Sequence, residues 1–399
     1  MELMKRREAS FYWHWLNCMP GIGKRKQEFI TTRFGKPWEI YELTERMGIE
    51  EAKKYLDDVR NCLINEGVIS PLTFTQKDIS MLTDNDYMER TYKSFMDYKS
   101  KGIRMTCIDD EDYPEKLKDI FEPPYIIYYR GQLPKKNMKT VAIVGSRECS
   151  DYGRNMAKKL SYELAMNNVM VVSGFARGID TAAHNGCLMA GGMTTAVFGN
   201  GIEVCYPKEN IFTYNQILEC KGCIMSELEP YIQPQKGQFP LRNRIISGLA
   251  DVVIVIEAGK RSGSLITIEH ALEQNRTVMA LPGRATDRLS VGCNELIKQG
   301  AGLITSTDDV LFELGIKKNN DNDKISEKTI ENGKPNNYLL QNELAKEEKM
   351  LYSQLDFNPQ HIDELINKSN MKHNDVVSIL TRFELLGLVC ENGGYYMKV

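Results

Sequence analysis

Between Lys139 and Gly315 the chain alternates short β-branched runs with helix-length stretches, and this cadence constrains its fold more than any other feature. Strands are predicted at Val141–Val144, Val169–Val172, Thr194–Phe198, Ile224–Met225, Val252–Ile256 and Thr277–Ala280, with a short one near Leu303. Strand and helix in turn call for a parallel sheet with helices on both faces. DVVIVIEAG (Asp251–Gly259) reads as a strand buried on both sides, since apolar residues fill both of its faces. In such sheets ligands bind outside the carboxyl ends of the strands. Small residues that permit close backbone approach follow five of these strands: Gly145-Ser146, Ser173-Gly174, Gly199-Asn200-Gly201, Ala258-Gly259 and Pro282-Gly283.

FPLRNRIISG (Phe239–Gly248) sits just ahead of the DVVIVIEAG strand. Arginines placed against a core need either an anionic ligand or a buried acidic partner, and both readings of Arg242 and Arg244 stand at this point. Guanidinium forks, the Asn243 amide and the Phe239 ring together make a grip for a phosphate backbone and its bases. The formal net charge of −3 supplies no global basic field, so a nucleic-acid site has to be a local patch.

Other motifs read two ways. Arg147, in GSRECSDYG, either shares a phosphate with a helix N-terminus or pairs on the surface with Glu148 or Asp151. Ser262, Gly263 and Ser264 open a helix and either meet phosphate oxygens or simply cap it. Pro20-Gly21-Ile22-Gly23 stands between two helical stretches with Lys24, Arg25 and Lys26 behind it. It is either a phosphate-binding hairpin or a plain helix–helix turn with a solvated basic face. His184, on a small-residue helix face, reads as a packed, hydrogen-bonded residue rather than a base. No Walker A element is present, so ATP hydrolysis is unsupported. The ten cysteines include one C-x-x-C, Cys220 and Cys223, without the second pair or histidines a zinc site needs; reduced cysteines and no metal are expected. No apolar run approaches membrane-spanning length and no signal-peptide core follows the N-terminus, so the cytoplasm is the expected location.

Four regions are expected: residues 1–133, a helical domain with a connector (109–130) ending in a short strand; 134–315, the doubly wound α/β domain; 316–342, a polar flexible linker; and 343–399, helix, helix and hairpin in the pattern of a winged helix. The helix that would be the reader of a winged helix carries Lys372, His373 and Arg382, but also Asp375 and Glu384.

VAIVGSR, Tyr152-Gly153, VVSGFARGIDTAAH, VFGNG, YPKEN, FPLRNRIISGLAD, EAGKRSGSLIT, and LPG followed by GCNELIKQGA occur in that order. Together they closely resemble the DprA/Smf (DNA-processing protein A) family across the whole central region. The N-terminal region resembles that family's helix-hairpin-helix, SAM-like extension. The resemblance implies an extended Rossmann-like fold that binds single-stranded DNA, is not a known enzyme and uses no cofactor. It implies protection of incoming strands in natural transformation, help in loading RecA onto DNA coated by single-strand-binding protein, and a homodimer formed through the Rossmann domain. Carried over by motif, Arg147 grips DNA, Lys236 and Phe239 contact phosphate and base, Arg242, Asn243 and Arg244 form a pocket, and Lys208 adds a basic contact. Ser146, Ser173, Gly174, Ser262, Gly263 and Ser264 complete the expected DNA-binding set. Phe175 stands where the family usually has leucine, Glu203 where aspartate is common, and Ser226-Glu227-Leu228 lacks the usual proline, although Pro230 is close. The alternatives are a nucleotide-processing enzyme of the lysine-decarboxylase-like group, with Glu269 of SGSLITIE as its acid, or a nucleotide sensor without turnover. The chain lacks the P-G-G-x-G-T turn of such enzymes.

Overall fold

The computed structural model describes residues 8–70, 72–316, 345–356, 360–369, 371–385 and 388–398. Six helices come first: α1 (Ala9–Asn17), α2 (Lys24–Phe34), α3 (Pro37–Met47), α4 (Ile49–Asn65), α5 (Gln76–Leu82) and α6 (Asn85–Ser100). In α1 every residue from Ser10 to Leu16 is buried, as its aromatic sequence requires. Two of its buried polar groups find partners: Trp13 Nε1 donates to Asp109 Oδ2 at 2.7 Å, and His14 Nδ1 lies 2.8 Å from the Tyr128 hydroxyl, whereas Trp15 Nε1 has none among the described residues. Burial lowers the His14 pKa to about 4, so the ring is neutral.

A nine-stranded sheet follows. Its strands are β1 (Arg104–Cys107), β2 (Ile126–Gly131), β3 (Thr140–Val144), β4 (Met170–Ser173), β5 (Thr194–Val197), β6 (Cys223–Ser226), β7 (Val252–Val255), β8 (Thr277–Ala280) and β9 (Gly302–Leu303). The spatial order is β1-β2-β6-β5-β4-β3-β7-β8-β9. From β6 to β9 every pairing is parallel; β2 joins β6 antiparallel and β1 joins β2 antiparallel. Every strand predicted from the alternation is present. The strand at β1 was not predicted, because RMTC is short and not apolar throughout; pairing with the buried Ile126–Tyr129 stretch of β2 recruits it.

Helices α7 (Asp151–Met166), α8 (Ile179–Met189), α9 (Ile211–Glu219), α10 (Gln238–Leu249), α11 (Ser264–Glu273), α12 (Val291–Lys298) and α13 (Thr307–Glu313) cover the sheet. Alternation along a strand divides the core. Val141 and Ile143 of β3 and Val252 and Ile254 of β7 pack with residues of α7 and α8. Ala142, Val144, Val253 and Val255 pack with α10 and α11 on the other face. Residues of α1 share a third cluster with β1, β2, β5 and β6, so the N-terminal helices are built onto the sheet. The chain winds outward from β3 through β6, then crosses back to β7 on the other side of β3. The crevice between the loops after β3 and β7 is therefore the switch point where such sheets bind ligands.

At the C-terminus, helices Lys346–Gln354, Ile362–Ser369 and His373–Leu385 pack with a three-stranded sheet ordered β10 (Gln360–His361), β12 (Tyr395–Lys398), β11 (Val389–Asn392). Gly393 and Gly394 both have positive φ, +62° and +85°, which is the two-residue hairpin turn expected of the Asn-Gly-Gly sequence. Leu351, Leu365, Leu380 and Phe383 centre a separate core. The expected linker lies outside the described residues apart from Ile316.

Candidate nucleic-acid interface

A groove of about 590 Å³ opens at the switch point, lined by Ser146, Arg147, Asp180, Tyr206, Lys236, Phe239, Arg242, Asn243 and Ser262–Ser264 among others. FPLRNRIISG does not run in as a strand; it is most of helix α10. Phe239, Arg242, Asn243 and Ile246 recur at helical spacing and line the groove as one stripe of that helix. Arg244 is about 200° around the axis from Arg242 at 3.6 residues per turn. Its guanidinium meets the Glu227 carboxylate through two bonds of 2.9 and 2.6 Å, and its Nε donates to the Glu122 carbonyl at 2.9 Å. Of the two partners anticipated for these arginines, Arg244 has the buried acidic one, and it faces away from the groove.

Arg242 is buried beneath the groove. Nη1 donates to the carbonyls of Gly174, at 2.8 Å, and Val197, so one guanidinium ties together the carboxyl ends of β4 and β5. A Cβ at Gly174 would fall 2.8 Å from Arg242 Nη2, which explains glycine there. Burial lowers the Arg242 pKa to about 10, opposed by Asp180, so it remains charged at neutral pH. Burial likewise raises Asp180 to about 6, opposed by Arg242 and by the Ala176 N–H, which donates to it at 3.2 Å. The floor thus holds a fixed cation beside a carboxyl that titrates near neutrality.

Phe239 lies across the end of β5; a Cβ at Gly199 would approach its ring to 2.8 Å. The Arg147 guanidinium sits 5.7 Å from the Phe239 ring centre, a cation–π distance. Tyr206, 44% exposed, stands on the ring's neighbourhood with centroids 5.7 Å apart and planes tilted by 34°. Sequence reading passed over Tyr206 and Asp180 as site residues. The signal for the tyrosine was an aromatic two residues before Lys208 in a turn. Asp180 lies in the first turn of α8, a common place for a carboxylate. Lys236 is exposed at the rim. The serine loop closes the other wall: Ser262 Oγ and Ser264 Oγ are 2.7 Å apart, and α11 begins at Ser264 without a side-chain cap.

Not every expected residue reaches the groove. Ser173 is fully buried and donates to the Ile143 carbonyl at 2.6 Å. Gly174 contributes its carbonyl to Arg242, below the surface. Lys208 is exposed in a 3₁₀ turn (Lys208–Asn210) and is not among the lining residues. The helix N-terminus after β3 is occupied by protein. Glu257 accepts from the Ser150 amide at 2.9 Å and from the Ser150 hydroxyl, at the start of α7. A phosphate there would displace or repel a buried carboxylate, so Arg147 does not share one with α7. His184 is buried, 2.8 Å from Thr194 Oγ1, with its pKa lowered by burial to about 3, as a packed neutral ring.

At the Pro20–Gly23 turn, Lys26 is held by both oxygens of Asp78, at 2.9 and 2.7 Å, and Lys24 by Glu227. The phosphate reading of that turn loses two of its three cations. Cys220 ends α9 and Cys223 is buried in β6, where burial pushes its thiol up; among the described residues no cluster of His, Cys, Asp and Glu could hold a metal ion. In the C-terminal unit Arg382 donates to Glu348 at 2.6 Å, which removes it from the charge free to meet a ligand. No helix among the described residues is long and apolar enough to cross a membrane.

A family model described as DNA recombination-mediator protein A matches residues 104–315, and one described as the DprA winged helix domain matches 339–394. The chain is 42% identical over 247 residues to DNA processing protein DprA of Streptococcus pneumoniae, covering 62% of this chain and 83% of that one. It is 33% identical over 322 residues to protein Smf of a Synechocystis species, covering 75% and 80%. The X-ray structure of the S. pneumoniae protein superposes with a TM-score of 0.57 at 34% identity, over 78% of this chain and 99% of that one.

Proposed function

Since the chain belongs to the DNA recombination-mediator protein A (DprA/Smf) family, we propose that it binds single-stranded DNA in the switch-point groove and acts by holding the strand rather than by catalysis. The observation that carries this reading is the stack of Arg147, Phe239 and Tyr206 above the buried Arg242. An exposed aromatic face suits an unpaired base, which is sequence-tolerant because every base has a π-face. Cations on either side suit the phosphates that flank it. Arg147, Lys236, Phe239, Arg242, Asn243, Ser146 and the Ser262–Ser264 loop are the proposed contacts. Ser173 and Gly174 support them from below, and Lys208 extends the basic rim.

In this reading the protein works in the cytoplasm as a homodimer. It shields incoming single strands during transformation and hands them to RecA in the presence of single-strand-binding protein. Exposed Leu303 on the edge strand β9 and Phe312, 84% exposed on α13, are the apolar groups that favour pairing of two copies along that edge. A mononucleotide enzyme or sensor is disfavoured because Glu257 fills the helix N-terminus where a nucleotide phosphate would sit.

The test is the double variant Arg147→Ala/Lys236→Ala, titrated by fluorescence anisotropy against single-stranded and duplex oligonucleotides. Wild type should prefer the single strand, and the variant should lose that affinity and flatten the salt dependence by about 0.7 per lost phosphate contact. Unchanged affinity would remove the groove from consideration.

A further inference from the structure

The wall of the groove at Ser262–Ser264 adjoins a basic surface. The loop after β7 continues back through Lys260 and Arg261, and the neighbouring loop after β8 carries Arg284 and Arg288. All four side chains are exposed. Across residues 259–263 and 281–290 they stand against one carboxylate, Asp287, a local excess of three positive charges (four minus one). None of the four takes part in an ion pair among the described residues.

These loops are braced together. The Ala258 amide donates to the Leu289 carbonyl at 2.7 Å, and the Gly292 amide to the Ala258 carbonyl at 2.8 Å. A Cβ at Gly259 would stand 3.6 Å from the Arg288 carbonyl, so the two cation-bearing segments lie side by side. Asn294 clamps Gly283 with bonds of 3.2 and 3.0 Å to its amide and carbonyl. A braced basic surface loses less entropy on binding than free side-chain tails would.

The opposite end of the groove differs. Beyond β4 and β5 the exposed Arg177 is forked onto Glu209, with Nη2 to Oε2 at 2.9 Å, and Glu209 directly follows Lys208. On that side Glu209 neutralises Arg177 and leaves one cation, Lys208, against the excess of three on the β7–β8 side. We propose that the single strand bound over Phe239 leaves the groove toward β8, and that Lys260, Arg261, Arg284 and Arg288 form a second phosphate-binding subsite used only by strands long enough to reach it. The inference rests on the single-strand reading of the groove.

The experiment titrates fluorescent oligothymidylates of about 4 and about 16 nucleotides, a range typical of single-strand sites, against the full chain at several salt concentrations. The variant replaces all four cations by alanine. It should bind the short oligomer like wild type, while for the long one the slope of log affinity against log salt flattens by up to about 2.8, at about 0.7 per contact. Swapping Lys260→Arg, Arg261→Lys, Arg284→Lys and Arg288→Lys should keep the long-strand slope. Arg177→Ala should also leave it in place. An unaltered long-strand slope in the alanine variant overturns the subsite, as does equal loss on both oligomers or loss in the charge-conserving swap. An equal effect of Arg177→Ala overturns the direction of exit. If wild type binds neither oligomer, the groove reading itself fails, an outcome distinct from loss of the subsite alone.

Discussion

The turn at Pro20–Gly23 and the groove at the carboxyl ends of the strands are both glycine-bearing and cation-rich in sequence, yet they end up electrically unlike. At the turn, Lys26 is chelated by Asp78 and Lys24 is drawn to Glu227, which Arg244 also grips. Burial alone would raise the Asp78 carboxyl, but Lys26 and Thr75 hold it below its ordinary value, the sign of a made pair. In the groove, Arg147 leans on an aromatic ring and Lys236 is exposed, and neither is in an ion pair among the described residues. The lesson is that a cation counted in the sequence is available to a ligand only when folding leaves it without an internal partner. In the first set Lys26 ties α2 to α5 and Lys24 ties α2 to the segment after β6; the second faces outward.

The comparison breaks most readily at Arg244. Arg244→Ala strands Glu227 with Lys24 alone in a buried setting and should cost about 3–5 kcal/mol of folding stability, read by urea denaturation. A loss below about 1 kcal/mol would mean the pair is as weak as a surface one. Next is Phe239→Ala, expected to weaken single-strand binding by about 1–3 kcal/mol, the worth of one stacked base, with unchanged thermal stability. An unchanged Kd would return the ring to mere packing.

A smaller effect is expected from pH. Asp180 has a folded pKa raised to about 6 from an ordinary 3.8, so the cost of burying its charge is present above pH 6 and fades as pH falls through that value toward 3.8. A phosphate in the groove raises it further, so binding takes up a proton. Affinity for oligothymidylate should rise by about 1 kcal/mol between pH 7.5 and 5.5, the scale of one charge pair about 4 Å apart in water. Asp180→Asn should bind at the low-pH level throughout, and a profile still sloping in that variant would assign the proton elsewhere. The neighbouring Arg242 keeps its charge through this window, and His184 stays neutral. The smallest effect is Arg25→Ala. Arg25 is the exposed cation of the N-terminal turn, and its loss should leave single-strand affinity and salt slope where they were. A fall comparable to Arg147→Ala would show that the turn binds DNA after all.

Much of this was legible beforehand. Runs such as Val252–Val255 can be buried only between two layers, so the parallel sheet and the small residues at its strand ends followed from pattern. Helix α10 was harder to read. Its proline and polar trio interrupt the apolar residues, and RNR looked like one unit when helical rotation separates its arginines. Likewise GSRECSDYG resembles a phosphate turn, but Glu257 occupies the helix start it leads to.

What the amino-acid order determined alone is local and periodic: where strands fall, which turns need glycine, and which motifs sit at one edge of the sheet. What tertiary structure decided is pairing. The carboxylate that holds Lys26 is 52 residues away and the one that meets Arg244 is 17 away. Coulomb attraction between such groups depends on distance in space and on exclusion of water, neither of which is written in neighbouring positions along the chain.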